Sequence, residues 1–215
     1  AVVWKDGGFY VAAGQSDDPE PWNPENCDRN ELKLEVDRLL GAYPDNRLYK
    51  HLSHCALEYE CLTASNTFLQ RLEGAVPVSF SCNYGCISEQ PDDSGFVAPQ
   101  TRLKFRPEVD EVVDIMLEHL KTPQSIISFG QGCEGEPSTQ AKTIIEAIKR
   151  VREKTSLGYI NINTNAGLSD HLRAITDAGL DLMRVSTISA LDDHYNAYYK
   201  PRGYTLKNVE KSLRY

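Results

Sequence analysis

From Val76 onward, short apolar runs alternate with longer stretches in which apolar residues recur every three or four positions. The runs are VPVSFS, SIISF, YINI and DLMRVS. Each is short enough and apolar enough to predict a strand buried on both faces. The stretches between them predict helices. In the first, Pro107 suits the opening position, and Glu108, Asp110 and Glu111 fill a first turn where the helix dipole favours carboxylates. Val109, Val112, Val113, Met116, Leu117 and Leu120 then form its buried face. The second helix begins at Ser138 and turns Ile144, Ile145, Ile148 and Val151 inward. The third is capped by Ser169 and closed by Gly179. A turn through Lys200-Pro201-Arg202-Gly203-Tyr204 leads into a last helix. Four strand–helix units in succession, joined by right-handed crossovers, predict one parallel sheet.

The first 75 residues read differently. VVWKDGGFYVAA alternates around Gly7-Gly8 and predicts a β-hairpin. A polar, proline-containing loop follows. A helix over 30–40 then carries the stripe Leu32, Leu34, Val36, Leu39 and Leu40, and a second helical stretch covers 46–71. The expected organisation is a small α+β region over 1–75 and an α/β domain over 76–215. Four units do not close a barrel, so the α/β part is expected to be the first portion of a TIM-type (β/α) barrel and the chain a fragment.

Composition adds little to this picture but removes some functions. A hydrophobic fraction of 40% and a charged fraction of 25% are those of a globular protein. A net charge of −8 disfavours nucleic-acid binding, which draws on basic surface. No run is long enough for a transmembrane helix and no signal peptide is visible, so a cytoplasmic setting without membrane partners is expected. There the six cysteines (Cys27, Cys55, Cys61, Cys82, Cys86 and Cys133) are better suited to metal binding or chemistry than to a disulfide framework.

Each predicted strand ends in a segment that can carry chemistry. After VPVSFS comes Cys82-Asn83-Tyr84-Gly85-Cys86, and after SIISF comes Gly130-Gln131-Gly132-Cys133-Glu134-Gly135-Glu136-Pro137. Asn163-Thr164-Asn165 closes YINI, and Arg184-Val185-Ser186 closes the fourth strand. In a parallel barrel these ends converge on one face. Closely spaced thiolates such as Cys82 and Cys86 can hold an iron–sulfur cluster, or they are two unrelated thiols. Gly132 and Gly135 let backbone approach a ligand, or they only allow a tight strand-to-helix turn in which Glu136 meets a helix N-terminus. Asn163 and Asn165, on alternate positions, can meet ribose hydroxyls or tie loops together. Arg184, with Ser186 beside it, needs a carboxylate, either from a ligand or from Glu134 or Glu136.

Weaker features surround these. His51, His54, Cys55 and Cys61 have zinc-ligand chemistry at spacing unlike the usual sites, on a stretch whose leucines read as core. Tyr195, Tyr198, Tyr199 and Tyr204 line an entrance or pack a surface helix. Asp92-Asp93 reads as solvated.

The order of these segments resembles the radical S-adenosylmethionine (SAM) superfamily. Cys82 and Cys86 fit the first half of its C-x3-C-x2-C motif, but Glu89 stands where the third cysteine is expected. In a second alignment, Cys86-Ile87-Ser88-Glu89-Gln90-Pro91 resembles the run after the third cysteine, with the middle cysteine missing. Glu134-Gly135-Glu136-Pro137 is similar to the GGEP turn that binds the SAM ammonium group. FGQGCEGEP, INTNA and NAYYKPRGY carry the match to an uncharacterised bacterial branch. The resemblance implies a partial barrel with a [4Fe–4S] cluster on Cys82 and Cys86. It implies SAM against Gly132, Glu134, Gly135, Glu136, Asn163, Asn165, Arg184 and Ser186. An external electron donor and an unidentified substrate complete the implied chemistry. Two rivals stand beside it: a cluster-less SAM-binding or scaffold domain, and a cofactor-independent barrel hydrolase or isomerase using Glu134 or Glu136.

Overall fold

The computed structural model describes residues 2–11, 23–85, 102–132 and 134–215. Cys86, Glu89, Asp92, Asp93 and Cys133 lie outside the described residues. The chain opens with a hairpin of β1 (Val2–Lys5) and β2 (Gly8–Val11), with Lys5 opposite Gly8. Its two turn residues are Asp6 and Gly7, both at positive φ (50° and 82°). That backbone matches the strand twist and favours Asp-Gly. The turn therefore falls one residue before the Gly7-Gly8 pair.

Three helices follow. α1 (Arg29–Ala42) is capped by Asp28, whose carboxylate accepts from Asn30 and Glu31 N–H. The stretch expected as one helix over 46–71 is two, α2 (Arg47–Leu57) and α3 (Leu62–Leu69). Between them Glu60 takes a left-handed backbone (φ 52°), and Cys61 N–H returns to Cys55 O at 3.0 Å. The apolar periodicity runs straight through this break and hides it.

β3 (Glu73–Ala75), β4 (Ile126–Phe129), β5 (Tyr159–Thr164) and β6 (Leu182–Val185) form a four-stranded parallel sheet in sequential order. The architecture is α/β. The connecting helices are α4 (Val109–His119), α5 (Ala141–Arg152) and α6 (Ser169–Asp177). α7 (Asp192–Tyr199) and α8 (Leu206–Leu213) follow β6. A short 3-10 turn, Pro137–Gln140, precedes α5. The first strand lies earlier than VPVSFS. Val76 N–H still pairs with Ser128 O at 3.0 Å, but beyond it the chain leaves β4 and lies against the loop at 130–136.

Ile127, Phe129, Ile160 and Ile162 on one sheet face are fully buried, as are Met116, Ile144, Ile148 and Ile175 of the helices. The opposite face is polar. α4 is tied to the N-terminal helices by Arg47, whose guanidinium grips the Glu111 carboxylate (2.6 and 2.8 Å), and by Asn46 Nδ2, which donates to Glu111 O at 3.0 Å. α3 seals the outer edge of β3. Asn66 Nδ2 donates to Glu73 O, while Thr67 Oγ1 accepts from Ala75 N–H (2.7 Å) and donates to Ala75 O (3.2 Å). That edge is unavailable to another strand. No helix among the described residues is long and apolar enough to cross a membrane.

Candidate functional site

Loops from the C-terminal ends of β3, β4 and β5 meet and hydrogen-bond to one another. Glu134 sits at the centre of the first contact. Its Oε2 accepts from Val78 N–H (2.8 Å) and Ser79 N–H (2.9 Å), and its Oε1 accepts from Gly130 N–H. Gly135 N–H donates to Ser79 O (2.8 Å) and Glu136 N–H to Ser81 O (3.0 Å). The two segments are so close that a Cβ on Gly135 would lie 2.1 Å from Ser81 O. Gly130 is equally constrained, with φ of 81° and Asn163 O 1.9 Å from where its Cβ would be.

Glu136 makes the second contact. As the cap of the 3-10 turn, its carboxylate accepts from Ser138 N–H (3.1 Å) and Ser138 Oγ (2.6 Å). It also accepts from Thr164 Oγ1 and from Asn165 N–H (2.8 Å), which binds this loop to the end of β5. Burial pushes the Glu134 carboxyl up to about 8 against the pull of its three N–H donors, and burial raises Glu136 as well. Both carboxyl groups are buried and fully engaged, an unsuitable arrangement for a general acid or base that must reach substrate.

Asn165 makes the third contact. Its Oδ1 accepts from Gly167 N–H (2.8 Å) and its Nδ2 donates to Asn83 Oδ1 (2.7 Å), reaching the cysteine-containing loop after β3. Cys82 is half-buried in that loop. Gly132 is exposed, and so is Ser186, whose N–H continues the pairing of β6 with β5 (3.0 Å to Thr164 O).

The polar face of the sheet carries a separate network. Arg184 forks onto Glu73 of β3 at 2.7 and 2.8 Å, rather than onto Glu134 or Glu136. Glu73 also accepts from Ser128 Oγ (2.6 Å) and Gln131 Nε2 (3.0 Å). Asn161 Nδ2 donates to Ser128 Oγ (2.9 Å) and, more weakly, to Asn163 Oδ1 (3.3 Å). The first and fourth strands of a flat sheet are about 14 Å apart, so a bidentate pair between them reports a curled sheet with this face on the inside. Hydrogen bonds to Arg184, Ser128 and Gln131 outweigh the desolvation that pushes the other way, and Glu73 is held below the usual carboxylate range.

Sequence reasoning missed Asn83, Glu73, Ser128 and Asn161. The alternation that singled out Asn163 and Asn165 begins at Asn161, so that residue was within reach. Glu73 precedes the predicted strand and carried no signal. Among the described residues no group of three or more His, Cys, Asp or Glu side chains is arranged to hold a metal ion. His51 and Cys55 are 3.8 Å apart on α2, and His54 meets the Tyr59 ring edge-on instead. Tyr195, Tyr199 and Tyr204 are buried, with Tyr195 and Tyr204 joined through their hydroxyls at 3.3 Å.

Two buried polar atoms here lack a partner among the described residues, Asn83 Nδ2 and Asn161 Oδ1. One donates and the other accepts, and a polar ligand such as SAM fits that chemistry. For a [4Fe–4S] cluster the described residues contribute Cys82 alone.

No protein-family model and no curated protein sequence matches the chain. Among solved structures it is similar to the FeFe-hydrogenase maturase HydG from Carboxydothermus hydrogenoformans. The TM-score is 0.44 and the identity 16%, over 89% of this chain and 48% of that one. The chain thus spans about half the length of that structure, and a likeness this loose does not define its fold.

Proposed function

We infer that the chain is the first portion of a radical SAM (β/α) barrel, a cytoplasmic enzyme domain. The observation that carries this reading is the meeting of three strand-end loops through Asn83, Asn165 and Glu136. A thiol-bearing loop and a glycine–glutamate turn are thereby held together at one end of a parallel sheet. Cys82 and Cys86 are the proposed cluster ligands, and Cys133 is the candidate replacement for the missing third. When bound, a [4Fe–4S] cluster supplies the electron, delivered by an external donor, that cleaves SAM to a radical able to take a hydrogen atom from substrate.

The chain's own residues position and shield. Glu134 and Glu136 spend their carboxyl groups on backbone and hydroxyl donors, which fixes the turn and leaves its backbone to face the SAM ammonium group. Asn165 holds the thiol loop. Glu73 neutralises Arg184 on the inner face, where Asn161 and Asn163 offer amides to ribose hydroxyls. Ser186 and Gly132 complete the proposed contacts at the exposed rim.

Anaerobic reconstitution with iron and sulfide tests this reading, with iron counted per chain and electron paramagnetic resonance recorded with and without SAM. About four irons and a signal that changes on adding SAM are expected. A folded chain that takes up no iron overturns the radical chemistry. It would favour the second reading, a cluster-less domain of the same fold, which the internally satisfied Glu134, Glu136 and Asn165 support.

A further inference from the structure

α7 ends at Lys200, whose left-handed backbone (φ 47°) turns the chain back toward the cysteine-containing loop. Two backbone hydrogen bonds then lock the segments together, Gly85 N–H to Tyr199 O (3.0 Å) and Arg202 N–H to Asn83 O (2.8 Å). The Arg202 side chain lies across the loop. Its Nη2 is 3.3 Å from the position a Cβ on Gly85 would occupy, so the missing side chain makes room for the guanidinium.

That guanidinium makes no hydrogen bond or ion pair among the described residues. Net charge is −8, and Arg38, Arg47, Arg150, Arg152 and Arg184 each reach a carboxylate. Among the described residues Arg202 reaches none, although its backbone is pinned.

Asn83 adds a second unused donor. Because Asn165 Oδ1 accepts from Gly167 N–H, Asn165 must present its amino group to Asn83, which fixes Asn83 Oδ1 as the acceptor. Asn83 Nδ2 is then the atom left buried without a partner among the described residues. An unmet buried donor is costly, and a group rich in acceptors satisfies it. The two pinned segments therefore carry a planar cationic fork, on Arg202, and a buried N–H donor, on Asn83. Both call for an oxyanion.

We propose that Arg202 and Asn83 form an oxyanion-recognition site on the cysteine-containing loop, which takes the carboxylate or phosphate group of a small-molecule ligand. The site shares Asn83 Nδ2 with the proposed SAM pocket, but it needs neither iron nor SAM to form, so its test is separate from that of the cofactor reading. The full chain, without iron and under reducing conditions, is titrated at constant ionic strength with inorganic phosphate and, separately, with acetate. The Gly85 and Arg202 backbone amides and the Asn83 side-chain amide are followed by nitrogen-15 NMR. A saturable shift at these groups is expected in at least one arm, and the arm that saturates identifies phosphate or carboxylate. Arg202→Gln, on an exposed side chain, should weaken binding at least about tenfold. Arg202→Lys should fall between, keeping charge but losing the fork. Shifts that fail to saturate in both arms, or equal affinity in Arg202→Gln and the unaltered chain, would overturn the proposal.

Discussion

Replacing Gly135 with alanine adds a methyl group where the chain has no room for one. The new Cβ would lie 2.1 Å from Ser81 O, 2.3 Å from Ser81 C and 2.8 Å from Ser81 N. All three are backbone atoms, so no rotamer change relieves the clash. The segments must part by more than an ångström to reach ordinary contact, about 3.5–4.0 Å. That movement breaks the hydrogen bonds from Gly135 N–H to Ser79 O and from Glu136 N–H to Ser81 O. It also pulls the Glu134 carboxylate from Val78 and Ser79. Two backbone hydrogen bonds at about 1 kcal/mol each and about 1–3 kcal/mol of overpacking sum to about 3–5 kcal/mol. Urea unfolding followed by circular dichroism reads this directly, as a fall of about 2 M in midpoint for a slope near 2 kcal/mol/M. Gly41→Ala is the counterpart. It lies in α1 with nothing within 4 Å of its Cβ position and should gain up to about 1 kcal/mol from helix propensity. A Gly135→Ala chain within about 1 kcal/mol of the original would refute the claim that this glycine is required by a backbone crossing. Ligand approach would then be the better account of it.

The pH dependence of stability should contain two opposed contributions. Glu134 is raised from 4.5 to about 8 on folding, so the native state holds an extra proton between those values. Stability then falls as pH rises, by about 1.4 kcal/mol per unit, and Glu134→Gln should remove that slope from urea midpoints between pH 5.5 and 7; an unchanged slope contradicts the assignment. Burial lowers His119 below 6.5, so the unfolded chain takes up this proton first and stability is lost as pH falls below that value. His119→Leu should flatten the loss, and equal slopes for variant and original between pH 5 and 7 would exclude this histidine. Thr67→Val strips the buried Ala75 N–H of its acceptor and should cost about 1–3 kcal/mol, with faster amide exchange at Ala75; retained protection there would show the β3 edge is sealed by something else.

The strand and helix rhythm from Val76 onward was readable because burial of one helix face or of a whole strand writes itself into spacing. What spacing does not record is where a backbone hydrogen bond goes. VPVSFS has the composition of a strand, yet past Val76 its N–H groups go to the Glu134 carboxylate instead of β4, so the paired strand is Glu73–Ala75. The break between α2 and α3 is hidden for a related reason. Glu60 adopts a glycine-like backbone with no glycine to announce it. At the candidate site the ambiguity is chemical. A buried carboxylate beside a glycine has the same sequence signature whether it faces a ligand or its own backbone, because both arrangements need close approach and hydrogen-bond donors. Glu134, Glu136 and Asn165 meet their own chain, and Arg184 meets Glu73, a residue with no motif around it.

The same hydrogen bonds give the sheet a direction of growth. Asn66 and Thr67 occupy the outer backbone groups of Glu73 and Ala75, so β3 ends the sheet on its side. No strand among the described residues lies beyond β6, where Leu182 is 40% exposed and Ile188 54%. An exposed apolar edge of this kind is what a further parallel strand would cover. Any strand that extends this sheet therefore enters beside β6. The curl reported by the Glu73–Arg184 pair would carry it around the polar face, where Asn161 Oδ1 has no partner among the described residues.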